Sequence, residues 1–361
     1  MILFLLVLSL SGCGPGTDTP PEPTPTPQPS TISDTFGIVW SSSFHPEGWD
    51  INIWPTQLAA DVGARWDRWP LEWARIEPSP GQFLWSGENH NYDVAVDKDR
   101  GTSPPLNLLI VLGSIPNWFD LASLEEPAFL DGTTQPNPDN QWGYFVHQAS
   151  LRYPSTTDSA IAWKIGNEAP AKTFKDMSMT DYVEFVSVAC EVLAITDPQA
   201  LIVLGAPEHG MGVNAVNGEQ NWYWSMLREL RSKGVDSCID AIAFHAYGGA
   251  QHSEYLAVGG YDLWKLRTEQ ETGIPVWMTE TGVAHASAEW CYEPNKPPCA
   301  TESETSDYVI QNYVWMLQGA AKRGYEGKVF HHHFRDTNSS DIRDGPWGLL
   351  HIDTTPYPAY Y

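Results

Sequence analysis

Positive charge is scarce in this sequence. Twenty Lys and Arg stand against 45 Asp and Glu in 361 residues, a formal net charge of −25. A field of that sign repels phosphate backbones, which argues against nucleic acid as a partner. Cysteine is also sparse, with five in all, and no pair has the spacing of a zinc knuckle, so structural zinc is not expected. The apolar run at residues 2–8 is too short to cross a bilayer as a helix. No second Pro/Thr-rich linker and no internal repeat divide the rest of the chain. What is plentiful is aromatic surface. Seventeen Trp in a chain that is only 18% charged can fill a large core and still furnish a binding surface.

The N-terminus reads as an address. Ile-Leu-Phe-Leu-Leu-Val-Leu at 2–8 leads into Leu10-Ser11-Gly12-Cys13, and a short apolar segment before small residues has the form of a secretory signal. The four-residue ending resembles the lipobox of bacterial lipoproteins, which implies Cys13 as the lipid-bearing residue. The alternative is an ordinary secretion signal with a chance cysteine; both place the body outside the cytoplasm, in the cell envelope or secreted. Residues 14–30, with proline at seven positions among Thr and Gly, favour extended structure and read as a tether. Membrane attachment is thus expected only through the N-terminal lipid. Cys291 and Cys299, in one Pro-rich loop, can pair in an oxidising compartment. Cys190 and Cys238 form a second bridge or remain buried thiols.

From residue 31 onward the sequence has a rhythm. Short apolar runs recur at about 36–42, 64–69, 106–113, 160–166, 200–205, 239–245, 274–279 and 327–333. Helical patterns lie between them at 138–151, 178–195, 219–233, 255–272 and 303–323. In the second helix Tyr182, Phe185, Val186, Ala189, Val192 and Leu193 share one face, Ser178 is placed to cap it, and Asp197-Pro198 closes it. Eight strands alternating with helices predict an α/β fold, a (β/α)8 TIM barrel over residues 31–361. An open doubly wound sheet is the alternative, but no glycine-rich phosphate loop follows the first strand. After the eighth strand come Trp347 to Leu350 and then the Pro- and Tyr-rich stretch to Tyr361, so the last helix is expected to be short or missing.

In such a barrel chemistry gathers where the strands end. Glu168 ends the fourth strand beside Asn167, and Glu280 ends the seventh. Two carboxyls facing each other across the mouth can divide the acid/base and nucleophile roles of glycoside cleavage. Taken singly, either acid is more simply a helix cap or an ion-pair partner.

These residues resemble the motifs of the clan A retaining glycosidases, in the style of families 39 and 5. Asn167-Glu168 is similar to the clan's fourth-strand motif, which implies Glu168 as acid/base and Asn167 as a contact to the sugar 2-hydroxyl. Glu280 is similar to the seventh-strand nucleophile. Arg65 is similar to the second-strand arginine that supports it, and His245 and Tyr247 to sixth-strand residues near it. The stretch 64–85, with Arg75-Ile76-Glu77-Pro78 and Gly81, and the closing Trp347-Gly348-Leu349 are family 39 in style. The eighth strand departs, carrying His331-His332-His333-Phe334 where the clan often has a tryptophan; Phe334 or Trp347 stands in for it. Glu208-His209, after the fifth strand, is placed to meet the acid/base or the substrate.

The resemblance implies a hydrolase that opens β-linked xylan, β-glucan or mannan by double displacement, working as a monomer on a carbohydrate substrate with no metal or organic cofactor. Trp40, Trp66, Trp118, Trp290 and Trp347, in or beside predicted top loops, are candidate platforms for sugar rings. Adjacent residues of a strand point opposite ways, so the three histidines cannot all face one ion. A rival reading is a non-catalytic carbohydrate-binding lipoprotein on the same barrel.

Overall fold

A computed structural model describes residues 34–40, 55–87, 90–169, 177–207, 222–247, 273–285, 300–323, 327–336, 347–351 and 353–361. Cys13, the Pro/Thr segment, Glu208, His209, Trp290, Cys291, Cys299 and the helical pattern at 255–272 lie outside them.

Eight parallel strands close a barrel: β1 (Phe36–Val39), β2 (Trp66–Glu72), β3 (Asn107–Gly113), β4 (Ile161–Ala169), β5 (Leu201–Pro207), β6 (Ala241–Tyr247), β7 (Val276–Gly282) and β8 (Val329–His331). Each pairs with its neighbours in sequence, and β8 returns to β1. All eight predicted strands are present in the predicted order. The second lies further along than 64–69, and this shift matters at the site.

Side-chain alternation sorts the apolar residues into two shells. Val39, Trp66, Leu109, Ala162, Val203, Ala241, Ala243, Trp277 and Phe330 pack inside the barrel, drawn from all eight strands. Three alanines make room for two tryptophans there. The alternate residues, among them Leu108, Ile110, Ile161, Trp163, Ile202, Leu204, Ile242 and Met278, face the surrounding helices. At the start of the strands Lys328 lies 4.8 Å from the Trp66 ring and 5.3 Å from that of Trp277. Its Nζ donates to the Asp34 carbonyl at 3.0 Å. This cation between two indoles closes the floor of the barrel, so Trp66, expected as a sugar platform at the mouth, lies at the opposite end.

The helices are α1 (Thr56–Asp61), α2 (Trp73–Ile76), α3 (Tyr92–Arg100), α4 (Gln141–Arg152), α5 (Met179–Thr196), α6 (Trp222–Ser232) and α7 (Glu302–Arg323). Helix α5 starts at a capping box: Ser178 Oγ accepts from Asp181 N, and the Asp181 carboxylate accepts from Ser178 N. It ends at Asp197, whose carboxylate accepts from the backbone and hydroxyl of Ser155. Cys190 of α5 is disulfide-bonded to Cys238, just before β6.

After β8 no long helix follows among the described residues. Instead residues 347–351 and 353–361 lie across the gap between α1 and α7. Leu349, Leu350 and Phe334 pack with Ala59, Ala60 and Ile38, and the Tyr360 hydroxyl donates to the Leu58 carbonyl at 3.1 Å. Phe334 is completely buried in this cluster. It therefore cannot be the sugar platform expected of it: its ring faces α1, on the outside of the barrel.

Candidate active site

Glu168 and Glu280 do meet at the barrel mouth, and the backbone needs a device to bring them there. On a regular strand neighbouring residues point to opposite faces. Yet Asn167 and Glu168 both turn toward the site, and Glu280 points inward although it stands three residues after the inward Trp277. Each strand gains the freedom from one extra residue. Between β4 and β5 the pairs are Ile165 with Leu204 and then Glu168 with Ala206. Between β6 and β7 they are Phe244 with Met278 and then His245 with Glu280. The β7–β8 ladder shifts over the same stretch, from Val329 with Met278 to His331 with Thr281. A bulge of this kind re-aims the side chains that follow it.

The first bulge depends on glycine and on a tyrosine. Gly166 has φ +75°, a left-handed conformation that glycine adopts without penalty. Where the ladder is broken, the Tyr182 hydroxyl donates to the Ile165 carbonyl at 2.6 Å and accepts from Gly205 N at 3.0 Å. A buried side chain from α5 thus replaces the backbone pairing that the extra residue displaces.

Around the two acids the side chains converge tightly. Arg68 Nη2 is 2.6 Å from Glu280 Oε1 and donates to Asn167 Oδ1 at 2.5 Å. Lys164 Nζ donates to the same Asn167 oxygen at 2.9 Å and lies 3.3 Å from His245 Nε2. Because Arg68 and Lys164 are both donors, the Asn167 atom they share is its oxygen, and the amide nitrogen is turned the other way. His245 bridges the acids, with Nδ1 3.1 Å from Glu168 Oε1 and Nε2 3.4 Å from Glu280 Oε1. One donor atom from each of Glu168, His245 and Glu280 falls within 4.8 Å of the other two.

Burial alone would raise the Glu280 carboxyl. The surrounding His245, Arg68, His332 and Lys164 outweigh it and hold the group well below the usual carboxylate range. Burial pushes His245 down to about 4, even though Glu280 and Glu168 favour its cation. The ring is neutral at neutral pH. Lys164 is lowered well below the usual amine value by burial and by Arg68, with Glu280 and Glu168 opposing. Two carboxylates and an imidazole are a donor set that divalent metals use. Here, however, the Arg68 guanidinium already occupies the Glu280 oxygen and Lys164 faces His245 Nε2, so an ion would sit against two cations.

The expected second-strand arginine needs correcting. Arg65 precedes β2 and its guanidinium donates to the carbonyls of Ala64 (2.7 Å) and Ala60 (3.4 Å); the arginine paired with Glu280 is Arg68, three residues later. The strand begins at Trp66 and runs to Glu72, so Arg65 lies at its floor end and Arg68 faces inward with Trp66. Trp118 is likewise committed elsewhere. Its indole donates to the Glu77 carbonyl at 2.9 Å and packs edge-on against Trp73, bracing a turn whose core is Glu77. The Glu77 carboxylate accepts from the Trp73 indole and from Gly81 N, both at 2.7 Å.

Trp40 does reach the mouth, with φ +64° and its backbone N–H bonded to the Arg68 carbonyl. Its ring lies 4.5 Å from that of His333 and 5.3 Å from that of His332. Trp347 sits 6.5 Å from His332, ring to ring. His331 turns away, its Nε2 against the Trp347 carbonyl at 3.1 Å. His331 thus parts from His332 and His333, which share the Trp40 ring. Tyr247 ends β6 opposite Gly282, and its side chain lies outside the described residues.

Arg68, Lys164 and His332 were not foreseen as site residues. A signal existed for the first two: each is a cation in the middle of a predicted buried strand, where burial without a partner is prohibitive.

The architecture is shared with solved glycoside hydrolases. A family 39 glycoside hydrolase from the gut symbiont Bacteroides cellulosilyticus WH2 superposes with TM-score 0.57 at 17% identity, over 91% of this chain and 63% of that one. A β-galactosidase from the psychrophilic Marinomonas ef1 gives 0.56 at 14%, over 90% and 58%. Two fungal β-1,4-galactanases were solved together, and the match to them gives 0.57 at 14%, over 90% and 97%. This chain spans about three-fifths of the length of the first two. No family model and no curated protein matches the sequence. The fold is thus the (β/α)8 barrel that these solved glycoside hydrolases also have. At these identities the likeness is one of fold, and what the site does rests on its own geometry.

Proposed function

We propose that the protein is a retaining β-glycosidase in which Glu168 is the acid/base and Glu280 the nucleophile. The observation that carries this reading is the approach of the two carboxyls, with an oxygen of each in a set of atoms spanning no more than 4.8 Å. Retaining enzymes hold their carboxyls about 5–5.5 Å apart, whereas inverting enzymes leave room for water at about 6.5–9.5 Å.

The charges are distributed as double displacement requires. Glu280, paired with Arg68, is ionised and poised to attack the anomeric carbon while Glu168 protonates the departing glycosidic oxygen. Water activated by the Glu168 carboxylate then releases the sugar from Glu280. Asn167, its oxygen held by two cations, turns its amide toward the sugar, and Trp40 and Trp347 border the mouth as stacking surfaces. The substrate class is a neutral β-linked glycan of the xylan, β-glucan or mannan type, since a chain of charge −25 disfavours acidic polymers. The solved neighbours act on varied β-linkages, including galactosides, xylan and mannosides by their names. An exported, lipid-anchored protein is consistent with the Cys190–Cys238 bond, because disulfides persist in oxidising compartments.

The test is reducing-sugar release from a panel of β-xylans, β-glucans and mannans by the full chain, beside its Glu280→Gln variant. Release by the parent and none by the variant is expected, with the anomeric configuration of the first product retained by proton NMR. A folded parent that releases nothing from any glycan, or an inverted product, overturns the reading.

A further inference from the structure

Lys164 is the buried cation at the site that this chemistry leaves without a task. It is fully buried on β4 and faces Arg68 from β2, His245 from β6, Glu280 from β7 and Glu168 from its own strand. The Arg68 guanidinium already serves Glu280, so a second cation is not needed to keep the nucleophile charged. What distinguishes Lys164 is what surrounds its nitrogen. Asn167 Oδ1 lies at 2.9 Å, the Asn167 carbonyl at 3.5 Å and His245 Nε2 at 3.3 Å. Two of these are oxygens that can only accept, so Nζ donates to both; Glu280 and Glu168 favour its charged form against the burial, and as an ammonium it keeps a third N–H, and no lone pair, for His245 Nε2.

That arrangement bears on the imidazole. A neutral His245 carries one proton and must place it on Nδ1, facing Glu168 Oε1 at 3.1 Å, or on Nε2, facing Glu280 Oε1 at 3.4 Å. A proton on Nε2 would also point at the ammonium. The hydrogen bond made by one ring nitrogen decides the tautomer at the other.

We propose that Lys164 is a positioning residue: by donating to Nε2 of His245 it fixes the imidazole proton on Nδ1 against Oε1 of Glu168, which leaves Oε2 as the oxygen that carries the catalytic proton. Glu168 Oε1 can accept from Nδ1–H whether the carboxyl is protonated or ionised, so one ring orientation serves both halves of the reaction. The catalytic meaning rests on the glycosidase reading; the tautomer does not.

The experiment is nitrogen-15 NMR of the histidine rings in the full chain at neutral pH, with His245 assigned by the loss of its signals in His245→Asn. The parent should show the proton on Nδ1. In Lys164→Met, which keeps the bulk and removes the donor, the proton should move to Nε2 and toward Glu280. In the same variant kcat should fall roughly 10- to 100-fold, as expected when an acid is misoriented, with KM nearly unchanged and the limbs of the pH profile displaced. A parent with its proton on Nε2 overturns the proposal, and that measurement stands even where Lys164→Met does not fold. So does a folded Lys164→Met that keeps the Nδ1 tautomer. A tautomer that moves as expected in a protein that cleaves no glycan would uphold Lys164 and refute the glycosidase. Cleavage by the parent with an unmoved tautomer in Lys164→Met would do the reverse.

Discussion

Replacing Tyr182 by phenylalanine deletes one oxygen that never touches substrate, yet it should weaken both the fold and the chemistry. The hydroxyl lies on α5 and bridges the Ile165 carbonyl and Gly205 N at 2.6 and 3.0 Å, where the ladder between β4 and β5 slips by one residue. Burial keeps the phenol protonated far above the usual tyrosine range, so it donates and accepts at every working pH. Phenylalanine fills the space but deprives a buried carbonyl and a buried N–H of that partner. A stranded buried polar group costs about 1–3 kcal/mol, so two of them, partly relaxed, should destabilise the protein by about 2–4 kcal/mol. Urea unfolding measures this as a lower midpoint at unchanged slope. Ile165 also precedes the Gly166 bulge that aims Asn167 and Glu168. A misplacement of about 1 Å at the acid lowers turnover by roughly 100-fold, so kcat should fall well beyond what the loss of folded protein explains. A variant within about 0.5 kcal/mol of the parent, the size of a neutral surface change, and of full activity would refute the view that this hydroxyl holds the bulge.

The two arginines near the start of β2 should separate cleanly: Arg68→Met is expected to abolish measurable turnover and raise the Glu280 carboxyl, so that the acid limb of any residual activity moves to higher pH. Breaking a buried pair of this kind typically costs about 3–5 kcal/mol, whereas Arg65→Met, which loses only contacts to the Ala60 and Ala64 carbonyls, should keep wild-type kinetics. Stability should decline as pH falls from about 6.5 toward 4, because burial holds His245 and His331 down to about 4 and His332 to about 3, while the unfolded chain binds those protons nearer 6.5. Lowered folded values mean that the unfolded state takes up more protons in this window, so each histidine removes about 2 kcal/mol by pH 5; urea midpoints at pH 7 and 5 check it, and a flat profile would contradict neutral buried rings. The raised carboxyls of Glu77 and Asp336, whose first cause is also burial, act in the opposite sense, so His331→Gln should be compared with the parent to isolate one ring. Finally, serine at both Cys190 and Cys238, which are 48 residues apart, should lower stability by about 4 kcal/mol if loop entropy alone acts. Turnover should be unaffected, because the bond joins α5 to the segment before β6, away from the acids.

The sequence disclosed most of the scaffold because its strands are buried on both faces. Leu108 to Leu112 and Leu201 to Leu204 stand out as apolar runs bounded by turns. The segments that escaped are those without such a run: α1 has six residues, α2 has four, α3 has nine with charges at Asp93, Asp97, Lys98, Asp99 and Arg100, and the hairpin strands Ser86–Gly87 and His90–Asn91 have two each. The acids were legible from their places at strand ends. The arginine beside Glu280 was not, because an end of β2 at 69 falls three residues short of Glu72. That error exchanges Arg68 for Arg65, and it hides a general rule, since an inward position in a parallel barrel can be read only when the strand's start is known. Phe334 failed for a different reason: aromatic character does not say whether a ring faces the mouth or the helices.

What no periodicity could reveal is that β4 and β7 each contain an extra residue just ahead of the acid. A strand with strict alternation offers one inward side chain for every two residues, which at the mouth is too few. The site needs Asn167 and Glu168 side by side, and it needs Glu280 inside on the same strand as Trp277. Inserting a residue supplies both, but it breaks ladder pairing, and the break must be repaired by other groups in a dry interior. On β4 the repair is visible in Tyr182 and in the left-handed Gly166. The same α5 residue that reads in the sequence as one more member of an apolar helical face is therefore tied to the placement of Glu168. This is why the sharpest test of the site lies on a helix outside the barrel: if the bulges set the geometry, turnover will follow the Tyr182 hydroxyl even though Arg68, Lys164, His245 and both glutamates are all left in place.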